Sequence, residues 1–192
     1  MIKTENFEQV EVSSPQQLRQ WLEEHHTQTA SIWLVTYKKH VGDKYVSVQD
    51  ILDAVLCFGW VDGIRRQLDC DRTMQMISPR QTQHWAKSYK DRAETLIETG
   101  QMHPAGLAAI AQSKRNGLWN FMDDVDALVM PDDLVAALDS YSPAREIFES
   151  SAPSYRRNVL RWIKLAKTPK TRAQRIEKAA VFAAQNQKIP QM

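Results

Sequence analysis

Five of the eight prolines divide the second half of the chain into segments of helical length. Each stands where the first turn of a helix would begin, a position that tolerates proline because the missing N–H would have no partner there. These residues are Pro104, Pro131, Pro143, Pro153 and Pro169. Gly100 and Gly117 follow two of the segments at places where helices commonly end. From residue 85 onward the sequence therefore predicts helices alone.

The first third of the chain mixes strand and helix signals. Ser14-Pro15 and Ser47, with Asp50 three residues later, predict two helix starts. Short runs rich in β-branched and aromatic residues predict strands. These runs cover residues 7–12, 31–37, 64–69 and 72–77, with a tight turn at Cys70-Asp71.

Together these signals predict an α+β fold. A small, mostly antiparallel sheet packed by helices occupies the N-terminal half, and an all-α helical module follows it. We expect an α+β domain over residues 1–100 and a helical module over residues 101–192, packed on each other as one compact unit.

The composition is typical of a soluble globular protein, with 43% hydrophobic and 25% charged residues. The N-terminus lacks a signal-peptide pattern, and no segment approaches eighteen uninterrupted apolar residues. Cys57 and Cys70, without a secretory signal, are expected to be reduced thiols. The sequence therefore predicts a cytoplasmic protein without a transmembrane segment.

Charge is distributed unevenly along the second half of the chain. Residues 123–149 contain eight acidic side chains and one basic, whereas residues 154–178 contain nine basic side chains and one acidic. The basic face is either solvated and partly neutralised by the acidic segment, or it binds a polyanion. The first interpretation is favoured, because the aromatic residues here have core spacing. The polyanion-binding candidates are Arg156, Arg157, Arg161 and Lys164.

No recognised catalytic, metal or cofactor motif is present in the sequence. The histidines show no i, i+4 pairing, and neither cysteine belongs to a Cys-x-x-Cys pair. No phosphate-cradling glycine loop, dinucleotide fingerprint or nucleophile elbow occurs. We therefore predict no metal site, no cofactor and no assigned catalytic residue.

Residues 57–69, CFGWVDGIRRQLD, concentrate side chains that are costly to bury. Asp62 needs a compensating donor or charge if it leaves water, so we expect it to pair with one arginine. Strand alternation places Arg65 and Arg66 on opposite faces. Residues 78–87 add a further arginine, a tryptophan and a lysine. The ligand-binding candidates are Trp60, Asp62, Arg65, Arg66, Arg80, Trp85 and Lys87.

Several of these segments together resemble a bacterial family. They are CFGWVDG at residues 57–63 with the basic pair after it, Ser78-Pro79-Arg80 followed by Trp85, PAGL at residues 104–107, and the tail at residues 156–176. The chain resembles, over nearly its whole length, the YdeI/OmpD-associated, or bacteriocin-protection, proteins. It departs from the family's pattern at Gln81 and Ala86, which remove potential anion-binding groups. The resemblance implies a soluble bacterial protein linked by name to envelope stress or bacteriocin tolerance, with no defined reaction.

Three functional hypotheses follow. The leading one is a non-catalytic cytoplasmic protein that binds a small anionic or aromatic ligand, or a protein partner. The second is an enzyme in which Asp62 acts as general acid or base and Arg66 or Arg80 stabilises developing negative charge. The third is nucleic-acid binding through residues 154–178.

Overall fold

The computed structural model describes residues 7–190 of the chain. Within that part the chain divides into two compact units, with the boundary after Asn120. The first contains a sheet and helices and the second contains helices alone. The predicted α+β fold is confirmed.

The sheet of the first unit has four strands in the described residues, in the order β1-β2-β4-β3. They are β1 (Gln9–Glu11), β2 (Ile32–Tyr37), β3 (Trp60–Gln67) and β4 (Arg72–Pro79). β2 pairs antiparallel with β4, and β4 antiparallel with β3, whereas β1 runs parallel to β2. The sheet is therefore mostly antiparallel, as the sequence predicts.

Helices pack on one face of this sheet. They are α1 (Pro15–His25), α2 (Val48–Cys57), α3 (Lys87–Glu98) and α4 (Pro104–Arg115). Ser14 caps α1, and Ser47 forms a capping box with Asp50 at the start of α2, so both predicted helix starts are confirmed. Leu34 of β2 and Ile77 of β4 are fully buried in the same apolar cluster as the helices' inner side chains.

Strand β3 begins earlier than the sequence predicts. The strand begins at Trp60, four residues before the predicted start, because the chain already reverses at Gly59, whose φ of 73° suits glycine. Gly63 lies inside the strand, next to an irregularity in the pairing with β4 between Asp62 and Arg65. Trp60 and Asp62 are consequently strand residues.

The first unit extends beyond the expected boundary at residue 100. Helix α4 packs against the end of α2, and Ile110 of α4 joins the core of the sheet unit. Trp119 packs against the same core. The unit therefore includes α4 and ends after Asn120.

The second unit is built from helices, and all but the first of them begin at or next to a predicted proline. They are α5 (Asp123–Asp126), α6 (Asp132–Asp139), α7 (Ala144–Ser150), α8 (Pro153–Lys164) and α9 (Pro169–Ala184). Their inner faces form a separate apolar cluster that includes Leu134, Phe148, Val159 and Ala180. Among the described residues, no helix has both the length and the apolar character that crossing a membrane requires.

Candidate functional site

Asp62 of β3 is half-buried and accepts two hydrogen bonds from neutral side chains. The amide Nε2 of Gln75 donates to Oδ2 at 3.1 Å, and the hydroxyl of Tyr89 donates to Oδ1. No ion pair of Asp62 with an arginine occurs in residues 7–190, so the expected salt bridge is wrong. Burial, followed by the hydrogen bond to Asp62, raises the pKa of Tyr89 to about 12.

Gln75 links Asp62 to Arg65. Its side chain is nearly inaccessible, with 6% of the residue exposed, and its Oε1 accepts a hydrogen bond from Nη2 of Arg65 at 2.6 Å. The extra residue in β3 makes this link possible. Asp62 lies opposite Ile77 and Arg65 opposite Gln75, so three steps along β3 match two steps along β4. Asp62 and Arg65 thus share a face that strict alternation would deny them.

Arg80 follows the last residue of β4. Its charge is the least compensated among the candidate site residues. Its guanidinium lies 4.0 Å from the centre of the Trp85 ring and 5.8 Å from that of Tyr89. Nη1 donates to the carbonyl of Gln83 at 3.4 Å, and the buried Nε has no acceptor among the described residues. Burial lowers the pKa of Arg80 to about 10, although the nearby Tyr89 and Asp62 oppose that shift.

Trp85 presents a second buried donor without an acceptor. The residue is 1% exposed, and within residues 7–190 its Nε1–H has no hydrogen-bond partner. Its backbone N–H donates to the carbonyl of Leu118 at 3.2 Å, and its ring lies 4.8 Å from that of Trp119. Arg80 and Trp85 therefore place two unsatisfied N–H donors in the same neighbourhood.

The remaining predicted ligand residues lie elsewhere in the first unit. Trp60 is a core residue, 1% exposed, that meets Trp21 edge to face. Arg66 lies over the ring of Trp33, on the face of the sheet opposite Asp62. Lys87 binds Asp91 one turn further along α3, at 2.9 Å.

The structure thus brings together Asp62, Arg65, Arg80 and Trp85, and adds two residues that sequence reasoning missed. Tyr89 lies in the first turn of α3, four residues after Trp85, which precedes that helix. Gln75 is a polar residue two positions before the buried Ile77, so alternation along β4 would have directed it inward. Those spacings were the available signals.

The basic candidates of the second unit are partly engaged within that unit. Lys164 of α8 binds Asp124 at 2.6 Å. Arg156 donates to the carbonyl of Glu149 at 3.3 Å, and its buried Nε has no acceptor in the part of the chain that the structure describes. Arg157 and Arg161 are half-exposed. Further along, Arg172 binds Asp133 at 2.7 Å, so the acidic segment does neutralise part of the basic one.

In the part of the chain that the structure describes, the thiols and the metal-binding residue types form no metal centre or activated nucleophile. Burial raises the pKa of the Cys57 thiol, which makes it a poor nucleophile at neutral pH, and Cys70 is an exposed free thiol. Over residues 7–190, no group of three or more histidine, cysteine, aspartate or glutamate side chains is arranged to hold a metal ion.

Comparison with known families gives one profile match in each unit. The family profile described as "Bacteriocin-protection, YdeI or OmpD-Associated" matches residues 127–186. The helical unit thus carries a match to the YdeI/OmpD-associated family that the sequence resembles. Residues 10–109, more than half of the chain, match a second profile, and the chain belongs to that family, described as a domain of unknown function (DUF8412). No curated protein and no solved structure matches the chain.

The sequence segments that resemble the YdeI/OmpD-associated proteins fall partly in one match and partly in the other. The tail at residues 156–176 lies inside the YdeI/OmpD-associated match. The CFGWVDG, Ser78-Pro79-Arg80 and PAGL segments fall inside the other match, at residues 10–109. The candidate site around Arg80 thus lies in the domain of unknown function, and neither family description assigns a molecular activity.

Proposed function

We propose that the protein is a non-catalytic binding protein and that its sheet-containing unit holds a small oxyanion, a carboxylate or a phosphate, at Arg80. The observation that carries the proposal is the pair of buried donors, Nε of Arg80 and Nε1 of Trp85, that lack acceptors in residues 7–190. An oxyanion offers several acceptor lone pairs and a negative charge in one group.

The energetics favour an anionic occupant. Removing a guanidinium from water is costly unless a counter-charge or full hydrogen bonding compensates it. Among the described residues, Arg80 forms no ion pair, and its hydrogen bond to the carbonyl of Gln83 is long, at 3.4 Å. The Trp85 ring under the guanidinium supplies a cation–π contact. The in-plane Nε–H still lacks an acceptor in residues 7–190.

The surroundings of Asp62 support binding better than catalysis. Each carboxylate oxygen of Asp62 accepts a hydrogen bond from a neighbouring side chain, so the fold holds this carboxylate in place through Gln75 and Tyr89. The raised pKa of Tyr89 keeps its phenol protonated at neutral pH. Arg66, one of the two proposed charge stabilisers, lies on the opposite face of the sheet.

Isothermal titration calorimetry with inorganic phosphate and with benzoate tests this proposal. Arg80→Met keeps the apolar stem but removes the charge and the donors, and Trp85→Phe removes only the indole N–H and part of the ring. We expect each variant to bind at least one of these anions about tenfold more weakly than wild type. The control is Arg66→Met, which removes a guanidinium from the other face.

Thermal unfolding provides a second measurement. In buffer without added anion, Arg80→Met should be as stable as wild type or more stable, because an uncompensated charge has been removed. Added phosphate or benzoate should raise the melting temperature of wild type and of Arg66→Met only. The proposal is wrong if neither anion binds wild type, or if Arg66→Met loses as much affinity as Arg80→Met.

Only the description of the matched family at residues 127–186 suggests a physiological role. A role in envelope stress or bacteriocin tolerance and a cytoplasmic location stay predictions. Deleting the gene in the source bacterium, and complementing it with wild type or Arg80→Met, tests the first by survival under bacteriocin. Fractionation of the same cells tests the second.

A further inference from the structure

Strand β3 stands at the end of the sheet, and its outer edge is open to solvent. Within residues 7–190 the sheet order places β4 on one side of β3 and no strand on the other. Residues 63–67 of β3 are exposed. Ile64 is 47% exposed, although it is a large apolar residue in a strand. The described part of the chain therefore leaves this edge uncovered.

The pairing with β4 determines which backbone groups of β3 point outward. The N–H of Leu68 donates to the carbonyl of Arg72 at 3.1 Å, so these two residues form a hydrogen-bonded pair. Hydrogen-bonded and non-hydrogen-bonded pairs alternate along an antiparallel ladder. Arg66 therefore directs its N–H and C=O toward β4, whereas Arg65 and Gln67 direct theirs outward. Among residues 7–190 these outward groups have no backbone partner.

The two arginines of this edge carry charges that are not neutralised within the described residues. Arg65 donates to the neutral Oε1 of Gln75, and Arg66 lies 5.3 Å from the centre of the Trp33 ring. Neither arginine forms an ion pair with a carboxylate in residues 7–190. The two side chains lie on opposite faces of the sheet. A strand added beside β3 would thus meet one positive charge on each face.

A second copy of the chain fits this edge poorly. If two copies of residues 63–67 paired antiparallel over their full length, Arg65 would lie opposite the same residue of the other copy. Like charges directly opposite each other destabilise a pair of strands. The charges and the irregular pairing between Asp62 and Arg65 therefore oppose self-association of the edge. The same charges favour a strand of opposite charge.

We infer that the open edge of β3 binds an extended acidic segment of another protein, which adds a strand to the sheet. In this mode of recognition the main chain supplies the hydrogen bonds and the side chains supply the specificity. The segment has two consecutive acidic residues, opposite Arg66 and Arg65, and then an apolar residue opposite Ile64. The inference does not depend on the anion proposed at Arg80.

The first test concerns charge. The probe is a fluorescein-labelled peptide, Thr-Val-Glu-Glu-Val-Thr-Val, titrated with the full-length chain and followed by fluorescence anisotropy. We expect wild type to bind it at least about tenfold more tightly than the same peptide with Gln-Gln in place of Glu-Glu. The double variant Arg65→Gln/Arg66→Gln should lose this preference. Arg115→Gln, which changes an exposed arginine at the end of α4, is the matched control and should keep it.

The second test concerns the backbone. Gln67→Pro removes an outward N–H without removing a hydrogen bond to β4, whereas Gln67→Thr keeps that N–H. We expect the proline variant to bind the Glu-Glu peptide at least about tenfold more weakly than the threonine variant. If Gln67→Pro fails to fold, N-methylation of the peptide gives the same test with wild type. Methylation of one of the two glutamate nitrogens should block binding and methylation of the other should not, because alternate N–H groups face β3.

Several results would overturn the inference. They are the absence of binding of the Glu-Glu peptide to wild type, equal binding of the two peptides, and binding that is insensitive to both the proline and the N-methyl substitutions. A wild-type dimer in sedimentation that Gln67→Pro dissociates would instead identify a second copy as the occupant. A single-stranded oligonucleotide that displaces the peptide and requires both arginines would identify a nucleic-acid surface.

Discussion

Gly106 lies directly against the carbonyl oxygen of Cys57: a Cβ atom on residue 106 would stand 2.2 Å from that oxygen. The same carbonyl accepts the backbone N–H of His103 at 3.2 Å. The first turn of α4 is therefore seated on the last turn of α2, at a distance that only glycine permits. This contact explains why the sheet-containing unit continues past residue 100.

Gly106→Ala should destabilise the first unit although alanine is the better helix former. The propensity gain is about 1 kcal/mol, but the added methyl group meets a backbone carbonyl, and overpacking of this kind typically costs about 1–3 kcal/mol or more. We expect a net loss of about 1–2 kcal/mol in the free energy of unfolding. The matched control, Ala108→Gly at an exposed position of α4, should lose about 1 kcal/mol.

Urea unfolding followed by tryptophan fluorescence measures this effect. Five of the six tryptophans lie in the first unit, so a Trp162→Phe background reports on that unit alone. A Gly106→Ala variant at least as stable as its parent would contradict the close approach of the two helices.

Gln75→Leu should lower the free energy of unfolding because it leaves an acceptor atom of Asp62 without its donor. Leucine has a similar size, but Asp62 would lose the donor to Oδ2 while remaining half-buried. Leaving a buried acceptor unsatisfied costs about 1–3 kcal/mol. Arg65→Gln, by contrast, changes an exposed residue and keeps an amide N–H that can donate to Oε1 of Gln75, so it should cost no more than about 0.5 kcal/mol. Equal costs for the two variants in the same unfolding assay would show that Gln75 does not support Asp62.

Local signals made much of the fold predictable. The capping residues Ser14 and Ser47 act within three residues of their partners, so the sequence contains the complete signal. The same holds for Pro153 and Pro169, which stand in the first turns of α8 and α9. Each of these features depends on a short stretch of chain and on no distant partner.

The site was less predictable because its geometry depends on distant pairs. Arg65 reaches the face of Asp62 only because β3 contains one residue more than the matching part of β4, and that register is fixed by the pairing of two strands. Tyr89 reaches Asp62 from α3, across 27 residues of sequence. The expected arginine partner of Asp62 was wrong for the same reason: charge proximity in sequence did not determine which donors the fold delivers.

The Tyr89 phenol should titrate near pH 12, later than an ordinary tyrosine. Because its pKa is raised above the usual value of 10, the protonated form is favoured by the fold. The corresponding stabilisation is complete below pH 10 and is lost as the pH rises from 10 through 12. The difference in absorbance near 295 nm between wild type and Tyr89→Phe isolates this group from the other tyrosines.

Asp62→Asn separates the two causes of that shift. Burial is the larger cause and the hydrogen bond to Asp62 the next, so the variant should titrate earlier than wild type but still above pH 10. An unchanged titration in Asp62→Asn would show that the contact between Tyr89 and the carboxylate does not contribute.

The second unit should bind nucleic acid weakly, because its own carboxylates already occupy part of its basic surface. Asp124 binds Lys164 and Asp133 binds Arg172, which leaves Arg157 and Arg161 as half-exposed cations of α8. The double variant Asp124→Asn/Asp133→Asn frees two cations, and each additional phosphate contact steepens the dependence of log K on log salt by about 0.9. We therefore expect fluorescence anisotropy with duplex DNA to show tighter and more salt-sensitive binding by the double variant. Tight, salt-sensitive binding by wild type that Arg157→Gln/Arg161→Gln abolishes would instead favour a nucleic-acid-binding protein.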